Sequence, residues 1–132
     1  MDSKLEGRSP LYLQLADTFR IQVASGTWMT GGRIKSVRQL AMEYQVNPNT
    51  IQRALAELER EKLLITERTS GRRITDDREI VRKLRRDLAG EALHEFTQRM
   101  HKIGFIHNEV LRMTADYLKR EAERGDEPDS AN

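Results

Sequence analysis

The chain contains one short polar segment whose side chains could recognise the base pairs of duplex DNA. It runs Asn47-Pro48-Asn49-Thr50-Ile51-Gln52-Arg53. Asparagine and glutamine can form paired hydrogen bonds with adenine, arginine can do the same with guanine, and threonine suits a phosphate or the methyl group of thymine. The chemistry that this segment offers is therefore hydrogen bonding at base-pair edges.

The spacing of apolar residues predicts a helix that would present these side chains. Asn47 followed by Pro48 is an N-cap residue with proline at the first helical position, and the helix should continue to about Glu61. Free backbone N–H groups at its beginning and the positive end of its dipole favour a neighbouring phosphate. The core side should comprise Ile51, Ala54, Leu55 and Leu58. The polar side chains should lie on or near the opposite side: Asn49, Thr50, Gln52 and Arg53.

Basic residues are concentrated on both sides of this predicted helix in the sequence. Three lie before or at the start of the preceding helix and three flank a predicted hairpin turn: Arg33, Lys35, Arg38, Arg68, Arg72 and Arg73. Cations beside a base-reading helix can neutralise DNA phosphates. Two readings of these residues stay open, a solvated charged surface and a DNA-binding surface, and the whole set favours the second.

The elements that must position these residues can be read from caps and periodicity. A first helix should begin at Ser9-Pro10, with Ser9 as the cap, and end at Ser25-Gly26. Its apolar stripe is Leu11, Leu15, Phe19 and Val23. Ser36 and Gln39 have the spacing of a capping box in front of a second helix of barely two turns. Leu63-Leu64-Ile65 and Arg72-Arg73-Ile74-Thr75, separated by Thr69-Ser70-Gly71, predict a hairpin.

From Asp76 onward the pattern is helical again, with a stop at Gly104. A last helix follows, and its start is left open because Phe105-Ile106-His107 is a poor cap. The apolar stripe of the long helix cannot be buried by one partner helix of the same chain, so a second subunit is the expected cover. The predicted dimer interface is Leu84, Leu88, Phe96, Met100, Ile103, Val110 and Tyr117.

This order of elements predicts a mainly α fold with a small β-hairpin. It is an N-terminal winged helix-turn-helix followed by a two-helix C-terminal dimerisation region. The predicted parts are a flexible arm over residues 1–8, a DNA-binding domain over 9–75, an α-helical dimerisation region over 76–124 and a disordered tail over 125–132.

Composition and charge agree with this division. Residues 1–75 carry 12 basic and 8 acidic side chains, whereas residues 76–132 carry 11 and 13, so the basic excess lies in the predicted DNA-binding part. The absence of cysteine excludes disulfides and thiolate-ligated metal sites. No apolar stretch follows Met1 or approaches the roughly 18 residues of a membrane span, so we expect a cytoplasmic protein without a membrane partner, associated with the nucleoid when bound to DNA.

Several motifs carry a resemblance to a known family. They are Pro10-Leu11-Tyr12-Leu13-Gln14-Leu15, Gly26, Ser36-Val37-Arg38-Gln39-Leu40-Ala41, Val46-Asn47-Pro48-Asn49-Thr50-Ile51-Gln52-Arg53-Ala54-Leu55 and Glu57-Leu58-Glu59. Together they closely resemble the DNA-binding domain of the GntR family of bacterial transcription regulators. The Val46 to Thr50 segment and the short C-terminal region look like its YtrA-type subfamily. The specific motifs cover about residues 9–75.

The resemblance implies a homodimer that binds a pseudo-palindromic DNA operator, most often as a repressor. By position, Arg38 is similar to a second-helix arginine that contacts DNA, Asn49 and Thr50 to recognition-helix contacts, and Gly71 to the glycine of the wing tip. The family commonly has proline-glycine at Thr30-Gly31, leucine-proline-serine at Ile34-Lys35-Ser36, often arginine at Pro48, and glycine-x-glycine at Thr69-Ser70-Gly71. The full predicted DNA-binding set is Ser36, Arg38, Asn47, Asn49, Thr50, Gln52, Arg53, Gly71 and Arg72.

Two other classes of function were weighed. An enzyme or metal protein would have to use His94 with Glu91 and Glu95, or with His101, and the chain has no metal-binding motif or proposed carboxylate pair, so we expect no catalytic residue, metal or cofactor. A winged helix can also serve as a protein-interaction or RNA-binding module, and fold alone does not decide between these tasks. The sequence leaves the operator and any small-molecule effector unknown.

Overall fold

The computed structural model describes residues 9–125, and these form a mainly helical chain with one antiparallel hairpin, as predicted. The described chain falls into two compact units, one ending at Asp87 and the other beginning at Leu88. The predicted arm and residues 126–132 of the predicted tail lie outside the described residues, and Gly125 is the last residue of a helix. The elements are α1 (Leu11–Ser25), α2 (Val37–Tyr44), α3 (Pro48–Arg60), β1 (Leu64–Glu67), β2 (Gly71–Ile74), α4 (Arg78–Ile103) and α5 (His107–Gly125).

Two of the three predicted N-terminal caps are confirmed. The Ser36 hydroxyl accepts a hydrogen bond from the Gln39 amide at 3.1 Å, and the Gln39 side chain accepts from the Ser36 amide at 3.0 Å, which completes the capping box of α2. Asn47 caps α3, with Pro48 in its first turn. The prediction for α1 is wrong by one residue: Pro10 is the N-cap, because its ψ of 153° is extended while its carbonyl oxygen already accepts from Leu13 and Gln14.

The core of the first unit lies where α1 and α2 pack against α3. The predicted stripe of α3 is confirmed, since all four of its apolar residues are fully buried. In α1, Leu15, Phe19 and Val23 are buried, whereas Leu11 is 50% exposed because it stands at the first turn. The Phe19 ring stacks on Trp28 with ring centroids 5.0 Å apart and meets Tyr44 edge-on at 5.5 Å. This aromatic cluster joins α1, the following loop and α2.

The hairpin pairs Leu64 with Ile74 and Glu67 with Gly71. A third segment, which the sequence did not predict, lies along its outer side: Arg33 forms a bridge with Arg73, and the Ile34 amide donates to the Arg72 carbonyl at 3.2 Å. The hairpin of β1 and β2 is the wing of the winged helix-turn-helix. Its pairing with Arg33 and Ile34 fixes the chain just before Ser36, at the start of α2. The wing is therefore tied to the second helix by backbone hydrogen bonds.

The second unit consists of the C-terminal part of α4 and α5. Gly104, with a φ of 110°, ends α4 as predicted. The start of α5, which the sequence left open, is set by Glu109, whose carboxylate accepts a hydrogen bond from the Ile106 amide at 2.9 Å. This is the acidic half of a capping box without its serine or threonine partner. None of the described helices is long and apolar enough to cross a membrane.

Candidate nucleic-acid interface

Helix α3 separates apolar and polar side chains as predicted. Asn49, Gln52 and Arg53 are exposed and Thr50 is half-buried, whereas Ile51 and its apolar companions face the core. The exposed residues follow the N-cap within the first two turns, which is the part of a recognition helix that reaches base edges in the major groove. The structure therefore presents one row of amide and guanidinium groups to the outside.

Arg53 is held in place by an aromatic ring from another helix. Its guanidinium carbon lies 3.9 Å from the centre of the Tyr12 ring of α1. This contact uses the flat face of the guanidinium, so the N–H groups in its plane are still able to donate hydrogen bonds. Tyr12 is half-buried at the edge of the apolar stripe of α1, four residues before the buried Ala16, and its contact with Arg53 was not predicted from the sequence.

The wing touches α3 through a second arginine. The Arg72 guanidinium donates a hydrogen bond to the Gln52 side-chain oxygen at 3.0 Å, and its Nε lies 3.6 Å from a Glu59 carboxylate oxygen. Within residues 9–125 the buried Nε has no hydrogen-bond partner at normal distance, so the Glu59 charge is its main compensation. Two predicted DNA-binding residues, Gln52 and Arg72, are thus in contact with each other.

The acid Glu67 organises the turn of the wing. It accepts hydrogen bonds from Arg73 at 2.8 Å and from Ser70 at 2.7 Å, and these bonds, Arg73 first, lower the pKa of the Glu67 carboxyl below its ordinary value. Arg73 also lies 3.6 Å from Asp76. The predicted contact Gly71 is exposed and opens β2 with a φ of 83°, a conformation that favours glycine.

The predicted cation cluster divides into engaged and available members. Lys35 pairs with Glu43 at 2.6 Å, and this hydrogen bond raises the pKa of the lysine ammonium. Lys35, Arg72 and Arg73 therefore have acidic partners in the chain. The other three members of this cluster, Arg33, Arg38 and Arg68, are exposed and form no side-chain hydrogen bond or ion pair with the described residues.

The expectation of free backbone N–H groups at the start of α3 holds only for the Asn47 amide, which has no acceptor among the described residues, and is wrong for those that follow it. The Asn47 side chain accepts from the Asn49 amide at 2.7 Å, the Asn47 carbonyl accepts from the Thr50 amide at 2.9 Å, and Pro48 has no N–H. The cap that starts the helix has consumed these donors, and it occupies the Asn47 oxygen as well. At the start of α2, by contrast, the amides of Val37 and Arg38 have no acceptor among the described residues.

The predicted dimer-interface residues are placed differently from one another. Leu84 and Val110 are buried within the chain at 9% and 7% exposure, and Leu88 and Met100 are half-buried. The other three are exposed large apolar residues: Phe96, Ile103 and Tyr117. Four more apolar residues of the same unit expose over half of their surface, and none of them was in the predicted interface: Leu93, Ile106, Leu111 and Leu118.

A groove of about 650 Å³ opens between α4 and α5 in the second unit. Phe96, Met100, Met113 and Tyr117 form its apolar walls, and Asp116 and Arg120 lie at its polar side. Histidines, aspartates and glutamates within residues 9–125 form no group of three that could hold a metal ion, and this includes His94 and His101.

Known proteins resemble this chain over both units. The family described as bacterial regulatory proteins, gntR family, matches residues 11–74. The HTH-type transcriptional regulator YhcF of Bacillus subtilis is 36% identical over 111 residues, covering 84% of this chain and 92% of YhcF. The HTH-type transcriptional repressor YtrA of the same organism is 35% identical over 69 residues, covering 52% of this chain and 53% of YtrA.

A solved structure gives the same assignment. A GntR family transcriptional regulator from Listeria monocytogenes superposes with a TM-score of 0.76 at 32% identity, covering 82% of this chain and 95% of that one. The alignment with YhcF covers 92% of that protein and 84% of this chain, so the agreement extends beyond the helix-turn-helix. These relatives are transcription regulators and not enzymes. The chain therefore belongs to the GntR family of bacterial regulatory proteins and is a transcription regulator with a helix-turn-helix DNA-binding domain.

Proposed function

We propose that this regulator is a homodimeric repressor of the YtrA type that binds a pseudo-palindromic operator. The observation that carries sequence-specific binding is the exposed polar row of α3, formed by Asn49, Gln52 and Arg53 above a fully buried apolar side. Repression and the subfamily are supported by the similarity to YtrA, whose name describes a repressor. A bacterial operator as target places the protein in the cytoplasm, on the nucleoid when bound.

The candidate contacts fall into two sets. Arg33, Arg38 and Arg68 are the available cations, and with the Ser36 hydroxyl and the free amides at the start of α2 they would hold phosphates. Asn49, Thr50, Gln52 and Arg53 would read bases. Of the other predicted contacts, Asn47 could still donate to DNA from its side-chain NH₂ group, and Gly71 could contact DNA through its backbone. Arg72 would act mainly through Gln52.

Dimerisation is supported by the uncovered apolar surface of the second unit. Soluble monomers rarely expose large apolar patches, and the exposed side chains of Phe96, Met113 and Tyr117 line one groove of this unit. A second copy would cover this surface symmetrically. We propose accordingly that 9–75 binds DNA and that 76–124 supplies the dimer contacts, centred on Phe96, Ile103 and Tyr117 and not on the buried Leu84 and Val110.

Selection of duplexes from a random pool by the purified full chain tests the proposed function. Enrichment of one sequence with two-fold symmetry is the expected result. A mobility shift with random duplex, random RNA and the selected duplex across salt concentrations separates the alternatives. Preferential binding to RNA would support an RNA-binding module instead. Binding to none of these nucleic acids would support a protein-interaction module.

Substitution of the two contact sets should have different effects. Arg38→Ala is expected to weaken binding to every duplex and to reduce the slope of log K against log salt by about 1, because one phosphate contact is lost. Asn49→Ala should relax preference at particular base pairs, at a cost on the order of 1–3 kcal/mol. Arg124→Ala, which removes the same charge from an exposed position of α5, serves as the control. Parent-like titrations for both Arg38→Ala and Asn49→Ala would contradict the assignment.

The spacing of the two half-sites provides a second check. A two-fold dimer presents its recognition helices to successive major grooves, so the half-site centres should lie about 10 base pairs apart. Inserting about five base pairs between them turns one half-site to the far side of the duplex, so only one recognition helix can bind at a time and we expect affinity to fall by roughly 10² to 10⁴-fold, as for a monomer. An insertion of a full turn, roughly ten base pairs, is the length control. Unchanged affinity for the five-pair insertion argues against the two-fold geometry.

A further inference from the structure

We infer that Arg72 sets the base preference of Gln52, so that Gln52 selects guanine, which presents two acceptors, over adenine. This inference rests on the proposed function, since it concerns what the DNA-binding surface reads. The observation behind it is the hydrogen bond from Arg72 to the Gln52 side-chain oxygen at 3.0 Å. Arg72 acts here as a positioning residue.

The orientation of the Gln52 amide follows from the chemistry of its partner. A guanidinium group has only N–H donors and no acceptor, so the amide must turn its oxygen toward Arg72. Its NH₂ group is then the part left for a ligand. A free glutamine can offer both an acceptor and a donor, and it needs both for its paired hydrogen bonds with adenine. In Gln52 the contact with Arg72 occupies one acceptor site of the oxygen and turns that oxygen toward the wing, so the NH₂ group is the part directed to a base.

The Arg72 side chain is itself fixed. It is 23% exposed, its Nε is buried, and Glu59 of α3 lies 3.6 Å away. The backbone around it is paired on both edges, because Arg72 lies opposite Thr66 in the hairpin and its carbonyl accepts from Ile34. The charge of Glu59 and the pairing of β2 therefore hold the guanidinium against Gln52.

The base code follows from the edges in the major groove. Guanine presents two acceptors, N7 and O6, so each can accept from the Gln52 NH₂ group. Adenine places its N6 amino group beside N7, so it would bring a donor against a donor. We expect guanine in place of adenine at this position to raise affinity about tenfold, the size of one well-made base contact.

Base preferences of full-length variants test this coupling. Gln52→Ala first identifies the base pair at which preference is lost. In the parent that base pair should be G·C, because guanine presents two adjacent acceptors to the Gln52 NH₂ group. Arg72→Met frees the amide to turn, and the guanine-to-adenine ratio of affinities should fall from about tenfold to about onefold at that position while preferences elsewhere in the operator persist. In the Gln52→Ala background, Arg72→Met should leave the ratio unchanged.

Arg68→Met is the matched control, because it removes the same charge from the same wing at an exposed residue that does not touch Gln52. It should lower affinity for all duplexes without altering the ratio. Arg72→Gln is a second variant for the case that methionine disturbs folding. Because its amide can face Gln52 in either orientation, we expect it to lower the guanine-to-adenine ratio as Arg72→Met does. Three results would overturn the inference: an A·T pair in the parent at the mapped position, no base pair mapped by Gln52→Ala, or an unchanged ratio in both Arg72 variants. The proposed function would stand in each case, because the protein would still bind a selected duplex. A parent that selects no duplex overturns both.

Discussion

Phe96→Glu is expected to convert the protein into a monomer and to lower operator affinity by roughly 10² to 10⁴-fold. Phe96 is 38% exposed on the wall of the groove between α4 and α5, where the proposed partner copy would cover it. A carboxylate buried on this apolar wall would lose its hydration, which costs more than the interface gains from one side chain. Each half-site would then bind alone, without the effective concentration that a joined second domain supplies.

Sedimentation and operator titration of the same samples measure this outcome. Ile21→Glu is the control, because Ile21 is 58% exposed on α1 in the first unit and the substitution introduces the same charge. It should leave both the mass and the affinity close to those of the parent. Circular dichroism confirms that the helices of both variants persist. A Phe96→Glu protein that sediments as a dimer and binds like the parent would remove the basis for an interface at this groove.

Phe19→Ala is expected to reduce the free energy of unfolding by about 3–5 kcal/mol, a large part of the total stability of a small domain. Phe19 is fully buried and contacts both Trp28 and Tyr44. Removing its ring leaves a cavity among side chains of α1, α2 and the intervening loop. The positions of α2 and α3 depend on this cluster, so operator binding should be lost at temperatures where the parent still binds.

Urea denaturation followed by circular dichroism measures the change. Ile21→Ala, two residues away on the same helix, removes an exposed side chain and should change stability by no more than about 0.5 kcal/mol. Comparable losses for the two variants would show that the aromatic cluster does not carry the stability assigned to it. At low temperature, where both variants are folded, their operator affinities should agree with that of the parent.

Local signals in the sequence determined most of the fold. The caps at Ser36 and Asn47, the buried stripe of α3, the hairpin and the stop at Gly104 were all predicted and are confirmed. Each depends on residues within a few positions of one another, since a cap is satisfied by an amide two or three residues on and a stripe repeats with the helical turn. The exposed row of α3 follows from the same periodicity.

Only the tertiary structure decided which side chains contact the exposed polar row of α3. Tyr12 meets Arg53, and Arg72 meets Gln52, across distances along the chain that no periodicity encodes. The tertiary structure likewise decided which cations are paired with acids. No sequence motif predicted the pairing of Lys35 with Glu43.

The sequence by itself therefore determined that this protein presents amides and arginines from the first turns of a capped helix in a winged helix-turn-helix. Tertiary packing decided that Arg33 bridges to Arg73 beside the wing and that Arg72 is held against Gln52. The physical reason is that helix caps and amphipathic faces satisfy hydrogen bonds and burial locally. The partners of long charged side chains depend on which distant segments the folded core brings within 3 to 4 Å.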